Sequence, residues 1–87
     1  HGCFPCVGED RWLTIAVRSD QEWQGLCKVM RRPDLAADRT LATADGRRKN
    51  EDRIEDAIIK WSRMTQVDPA MAALQAEGVP AAVARVP

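Results

Sequence analysis

The stretch Trp12-Leu13-Thr14-Ile15-Ala16-Val17 is dense in β-branched and aromatic residues. It constrains the fold more than any other segment, because such a run reads as a β-strand. Ahead of it, Cys3-Phe4-Pro5-Cys6-Val7 is short and apolar, and Gly8-Glu9-Asp10-Arg11 is a polar, turn-rich connection. Two apolar runs around such a connection predict an antiparallel hairpin. Alternation then puts Leu13, Ile15 and Val17 on the more apolar face, toward the core, and Trp12, Thr14 and Ala16 on the other. Pro5 has no N–H to donate to a ladder, so the first strand belongs at an edge or is broken there.

Beyond the hairpin the periodicity is helical. Ser19-Asp20-Gln21-Glu22 has the form of a capping box. Trp23, Leu26, Cys27 and Met30 follow at i, i+3, i+4 and i+7, the stripe of an amphipathic helix. Cys27 on that stripe reads as a buried, inert thiol. Arg32-Pro33-Asp34 ends the helix, Leu35-Ala36-Ala37 forms at most one short turn, and Asp38-Arg39-Thr40 reads as loop.

From Thr43 to about Arg63 the pattern predicts one long helix, with Arg47, Asn50, Ile54, Ile58 and Trp61 on one side. An alternative starts this helix at Asn50 as N-cap. In the long-helix reading Gly46 weakens the first turn by ~1 kcal/mol relative to Ala. Arg47 and Asn50 on a buried stripe need partners, and nearby backbone carbonyls are the expected ones. Asp68-Pro69 marks a helix start, with Asp68 as cap and Pro69 at the first helical position. Glu77-Gly78-Val79-Pro80 marks its end, with Gly78 left-handed and Val79 folding back on Leu74. Ala81 to Pro87 reads as extended. The order is β-β-α-(short)-α-α-extended. It describes a single α+β domain over residues 1–87: a small antiparallel hairpin or sheet packed against three main helices. Apolar residues outside any complete element, at His1 to Phe4 and Val79 to Pro87, predict surface that belongs against another part of a larger protein.

The chain has 87 residues, 45% hydrophobic and 30% charged, with 13 basic and 13 acidic side chains. That composition suits a globular domain. Zero net charge argues against nucleic acid, which requires a basic excess on one face. No segment approaches the ~18 apolar residues of a membrane span. Three cysteines, an odd number, disfavour a disulfide framework and suit a reducing, cytoplasmic setting. The abrupt start at His1 suggests a cut or processed end.

Candidate chemistry is sparse. His1, Cys3 and Cys6 could supply metal ligands, but a zinc site pairs C-x-x-C with a second ligand pair farther along. Cys3 and Cys6 also face opposite sides of a regular strand. A thioredoxin-type pair sits at a helix N-terminus, not before a hairpin turn. His1 has no evident orienting partner for general-base work. Glu9-Asp10 and Glu51-Asp52 read as turn and helix-start residues. The residues therefore point to no catalytic group, no metal and no resident cofactor in this chain.

Several pieces, taken in order, resemble one family. They are "HG-x-x-P-C" at His1 to Cys6, "G-x-D-R-W" at Gly8 to Trp12 and "IAV" at Ile15 to Val17. "E-W-x-x-L-C" at Glu22 to Cys27 and "R-P-D-L-A" at Arg32 to Ala36 follow. Arg47, Asn50, Trp61 and "G-V-P-A" at Gly78 to Ala81 complete the set. Their order and spacing resemble the small domain of the family III CoA-transferases, the CaiB/BaiF family. The departures are Arg31, where many members have glycine, and Leu41, where many have phenylalanine.

The resemblance implies a parent enzyme that is an interlocked homodimer, each chain having a large Rossmann-like domain and a small domain. It implies that an aspartate of the large domain attacks an acyl-CoA thioester. CoA then passes to an acceptor carboxylate through mixed anhydrides and an aspartyl-CoA thioester. Racemases of the same fold instead move an α-proton of an acyl-CoA. The segment opening the small domain approaches the active site, which makes His1, Gly2, Cys3 and Phe4 the candidate cleft-lining residues. The nucleophile lies in the large domain, so no catalytic residue carries over and the isolated chain is expected to be inactive. A stand-alone binding domain is the alternative reading.

Overall fold

A computed structural model of the protein describes residues 2–84. It contains strands β1 (Gly2–Pro5), β2 (Trp12–Ile15) and β3 (Ala81–Ala84). Its helices are α1 (Asp20–Met30), α2 (Pro33–Ala36), α3 (Ala44–Lys49), α4 (Glu51–Ser62) and α5 (Val67–Ala76), with a 3₁₀ turn at Arg39–Leu41. The fold is α+β. The strands form one antiparallel sheet in the order β1-β2-β3. Cys3 pairs with Thr14 and Phe4 with Leu13; on the other side Leu13 pairs with Val83 and Thr14 with Ala82.

The hairpin forms as its sequence predicts. Gly8 and Asp10 adopt positive φ in the turn, and the Cys6 N–H donates to the Arg11 carbonyl at 2.8 Å. Pro5 sits on edge strand β1, where no ladder bond is lost. Leu13 and Ile15 are buried on the core face and Val17 packs against that core, while Trp12, Thr14 and Ala16 are only partly covered. The segment read only as extended is a third strand, so β2 is central. Its register is not legible in the sequence, because Ala81-Ala82-Val83-Ala84 has no apolar alternation to fix it.

Helix α1 is capped by Ser19, whose hydroxyl accepts from the Glu22 N–H at 3.1 Å. Glu22 reaches back one residue farther than a standard box and accepts from the Arg18 N–H at 2.7 Å. Trp23, Leu26, Cys27 and Met30 are all buried. The helix ends at Arg31 in the left-handed conformation, φ 56°. The Arg31 N–H donates to the Lys28 carbonyl and the Arg32 N–H to the Cys27 carbonyl, closing the end. Leu35 is buried from α2. The expected loop at Asp38 is a 3₁₀ turn, held because the Asp38 carboxylate accepts from the Thr40 N–H at 2.9 Å and from its hydroxyl at 2.6 Å.

The single long helix does not form. It divides into α3 and α4 at Asn50, whose φ of −116° and ψ of 28° leave the helical region. Asn50 thus marks the start of α4, as the alternative reading has it, but its side chain caps backward: Nδ2 donates to the Gly46 carbonyl at 2.8 Å. Gly46 has a positive reason to be glycine. A Cβ there would collide with the Thr40 backbone carbonyl, where the 3₁₀ turn crosses α3. Helix α5 begins two residues early. Gln66 is its N-cap, Val67 is pulled into the core, and Asp68 and Pro69 fall in the first turn rather than at cap and first position. Its end is as expected: Gly78 has φ 77°, and the Val79 N–H donates to the Leu74 carbonyl at 2.9 Å, with both side chains buried.

All the core lies on one side of the sheet. Phe4, Leu13 and Ile15 meet Trp23, Leu26, Ile58 and Leu74 in one cluster, with Ile54 and Trp61 packed at its margin. Helix α4 packs on β1, and α5 packs on β2 and β3.

Candidate functional site

A cleft of about 420 Å³ lies between the start of α1 and helices α3 and α4. Val17, Trp23, Leu26, Ile54 and Ile58 form its apolar floor, and Arg18, Arg47, Arg48, Glu51 and Glu55 its walls and rim. Arg47 organises it. Its side chain is only 10% exposed. One guanidinium nitrogen donates to the Leu41 carbonyl at 3.0 Å and another to the Asp20 carboxylate at 2.8 Å. The guanidinium carbon lies 5.9 Å from the centre of the Trp23 ring, within cation–π range. The expected carbonyl partners of Arg47 and Asn50 are therefore present, at Leu41 and Gly46. Sequence reasoning missed two members of this group. Asp20 reads only as part of a capping box. Trp23 reads only as core, yet its Nε1 is buried with no hydrogen-bond partner among the described residues.

The residues singled out for chemistry lie elsewhere. Gly2 and Cys3 are exposed on edge strand β1, and Phe4 is buried beneath it. His1 lies outside the described residues. None of Gly2, Cys3 and Phe4 lines the cleft. Cys3 is exposed and Cys6 buried, as their spacing on a strand requires. Burial pushes the Cys6 thiol above its ordinary pKa, and the neighbouring Cys3 adds to the shift. Burial likewise pushes the Cys27 thiol up to about 11, with Asp34 contributing in the same direction. Both groups are thus held as thiols at neutral pH, the unreactive form. Among the described residues, no three or more His, Cys, Asp or Glu side chains gather as a metal site.

No Asp or Glu among the described residues is buried. Two carboxyls fall below the ordinary range, Asp34 through its hydrogen bonds with Arg32 and Asp38 through its bonds with Thr40. Asp34 is exposed and Asp38 partly covered, and both serve local structure. A carboxylate nucleophile for acyl transfer needs the opposite setting, a shielded site beside an oxyanion donor.

The model of CoA-transferase family III matches residues 1–87. The chain belongs to CoA-transferase family III. A probable CoA-transferase of Mycobacterium tuberculosis is 36% identical over 81 residues, covering 93% of this chain but 10% of that protein. A succinyl-CoA–D-citramalate CoA-transferase of Chloroflexus aurantiacus is 29% identical over 75 residues, covering 86% of this chain and 19% of that protein. This family III chain therefore spans only a small part of the length of the curated relatives it matches. No helix among its described residues is long and apolar enough to cross a membrane.

Proposed function

We propose that this chain is the small domain of a family III CoA-transferase of the CaiB/BaiF type. In that reading the whole enzyme moves CoA from an acyl-CoA thioester to a carboxylic acid. One observation carries the proposal: the likeness extends over 93% of this chain and only 10% of a relative named as a CoA-transferase. The acids of this chain agree with it, since none is buried in a setting that would make it a nucleophile. The attacking carboxylate then belongs to a large domain outside residues 1–87, in an interlocked homodimer of the cytoplasm. The transferase reading is preferred to an acyl-CoA racemase because both relatives carry transferase names. The opening segment, His1 to Phe4, lines the acyl-CoA cleft in this reading. Its support is the exposure of Gly2 and Cys3 on a free strand edge.

The test compares the 87-residue chain with the longer protein that contains it. Each is incubated with an acyl-CoA and a free carboxylic acid, and thioester exchange is followed by mass spectrometry. Exchange by the longer protein alone is the expected result. Turnover by the isolated chain, abolished by changing one of its own acids, would overturn the proposal.

A further inference from the structure

The charges of this protein avoid the sheet. Residues 2–7, 12–17 and 78–84 contain no Asp, Glu, Lys or Arg, although such residues make up 30% of the chain. The core-side rows of the sheet need no charge. Its other face has no such reason. Pairing places Pro5, Trp12 and Ala84 in one row of that face, and Cys3, Thr14 and Ala82 in the next. None of these six joins the core cluster, and the helices cover the opposite side. Thr14 turns its hydroxyl inward and donates to the Ala82 carbonyl at 3.1 Å. The result is an open, uncharged face of small side chains around one half-covered tryptophan. A solvated face of an antiparallel sheet ordinarily alternates to polar residues. A central aromatic among small neighbours is instead the form of an interface anchor. The small residues also allow a second layer to approach at the ~10 Å spacing of packed layers.

We infer that this sheet face is an internal interface, covered by the part of the parent polypeptide outside residues 1–87. The inference rests on the small-domain reading above. The length of the relatives identifies the occupant, because this chain accounts for only 10% and 19% of them. Topology agrees. The first and last described elements, β1 and β3, are the two edges of this one sheet, so polypeptide added at either end of the chain would join the fold beside this face. Exposed Gly2 and Cys3 lie at one of those edges, which makes the face continuous with the proposed acyl-CoA cleft.

Cysteine labelling tests this with internal controls. Cys3 and an introduced thiol, Ala82→Cys in a Cys3→Ser background, report on the face from its two edge strands. Buried Cys6 and Cys27 report whether the domain stays folded. Maleimide labelling of each reporter is compared in the 87-residue chain and in the longer protein. Both reporters are expected to react at least ~10-fold more slowly in the longer protein, because labelling then requires the cover to open. Trp12→Glu should restore fast labelling of the Ala82→Cys reporter there, while Cys6 and Cys27 stay protected. Equal rates at Ala82→Cys in both proteins would overturn the inference. So would protection in the isolated chain that grows with its own concentration, which would make a second copy the occupant. Thioester exchange is measured on the same samples. Exchange with a freely labelled face leaves the transferase reading standing and removes this one; protection without exchange does the reverse.

Discussion

Arg31 holds a position that a side chain resists. Its φ of 56° and ψ of 45° put Cβ close to its own carbonyl, a conformation costing roughly 1–2 kcal/mol outside glycine. The side chain is exposed, so little packing is lost by removing it. Arg31→Gly should raise the unfolding free energy by about 1 kcal/mol in urea denaturation, less whatever the freer unfolded chain takes back. Gly46 is the converse. Helix propensity alone says that Ala would be better there by ~1 kcal/mol. The Thr40 carbonyl occupies the space a methyl would need, and it is backbone, so it cannot swing aside. Gly46→Ala should therefore destabilise, by roughly 1–3 kcal/mol. Cys27 gives a pH dependence of definite sign. Its pKa is raised in the folded protein from 9.0 to about 11, so the folded state holds the proton more tightly. Its contribution is complete below pH 9.0 and is lost as pH rises toward about 11. Stability measured across that window should fall with pH, and Cys27→Ala should flatten part of the slope.

Secondary structure was readable where one residue type does one job. Ser19 caps α1, Gly78 closes α5, and Pro5 keeps β1 at an edge, each by a local mechanism that requires no knowledge of neighbours. Local pattern fails where a distant partner decides. The early start of α5 depends on Val67 finding the core. Strand β3 depends on β2 for its hydrogen bonds and on nothing in its own alternation. The helix α1 stripe is the element read most directly, and its centre is Leu26, fully buried. Leu26→Ala should cost ~2–5 kcal/mol, the range for an enclosed leucine whose cavity does not collapse. A loss below ~1 kcal/mol in chemical denaturation would contradict that burial.

At the scale of the molecule, residues far apart in sequence meet, and the candidate site was only partly readable for that reason. Arg47 and Asn50 announced themselves as polar groups on a buried stripe, and Gly2 and Cys3 through family likeness. No local pattern could join Arg47 to Asp20, 27 residues away, or lay it over Trp23. This one guanidinium ties α1, α3 and the 3₁₀ turn together, and its three contacts are unequal. The Asp20 carboxylate is 68% exposed, so that ion pair is screened by water and contributes at most about 1 kcal/mol. The bond to the Leu41 carbonyl is partly buried, and losing it strands an acceptor, at about 1–3 kcal/mol. The guanidinium also lies over the Trp23 ring, so truncation removes packing as well as charge. Lysine could keep the charge but not the two-pronged geometry. The expected order of destabilisation is Arg47→Ala first, then Arg47→Lys, then Asp20→Ala, with the last within about 1 kcal/mol of the parent. Equilibrium urea unfolding of the three variants measures it. An Asp20→Ala loss matching that of Arg47→Ala would mean that the ion pair, rather than the carbonyl bond and the covered ring, holds these elements together.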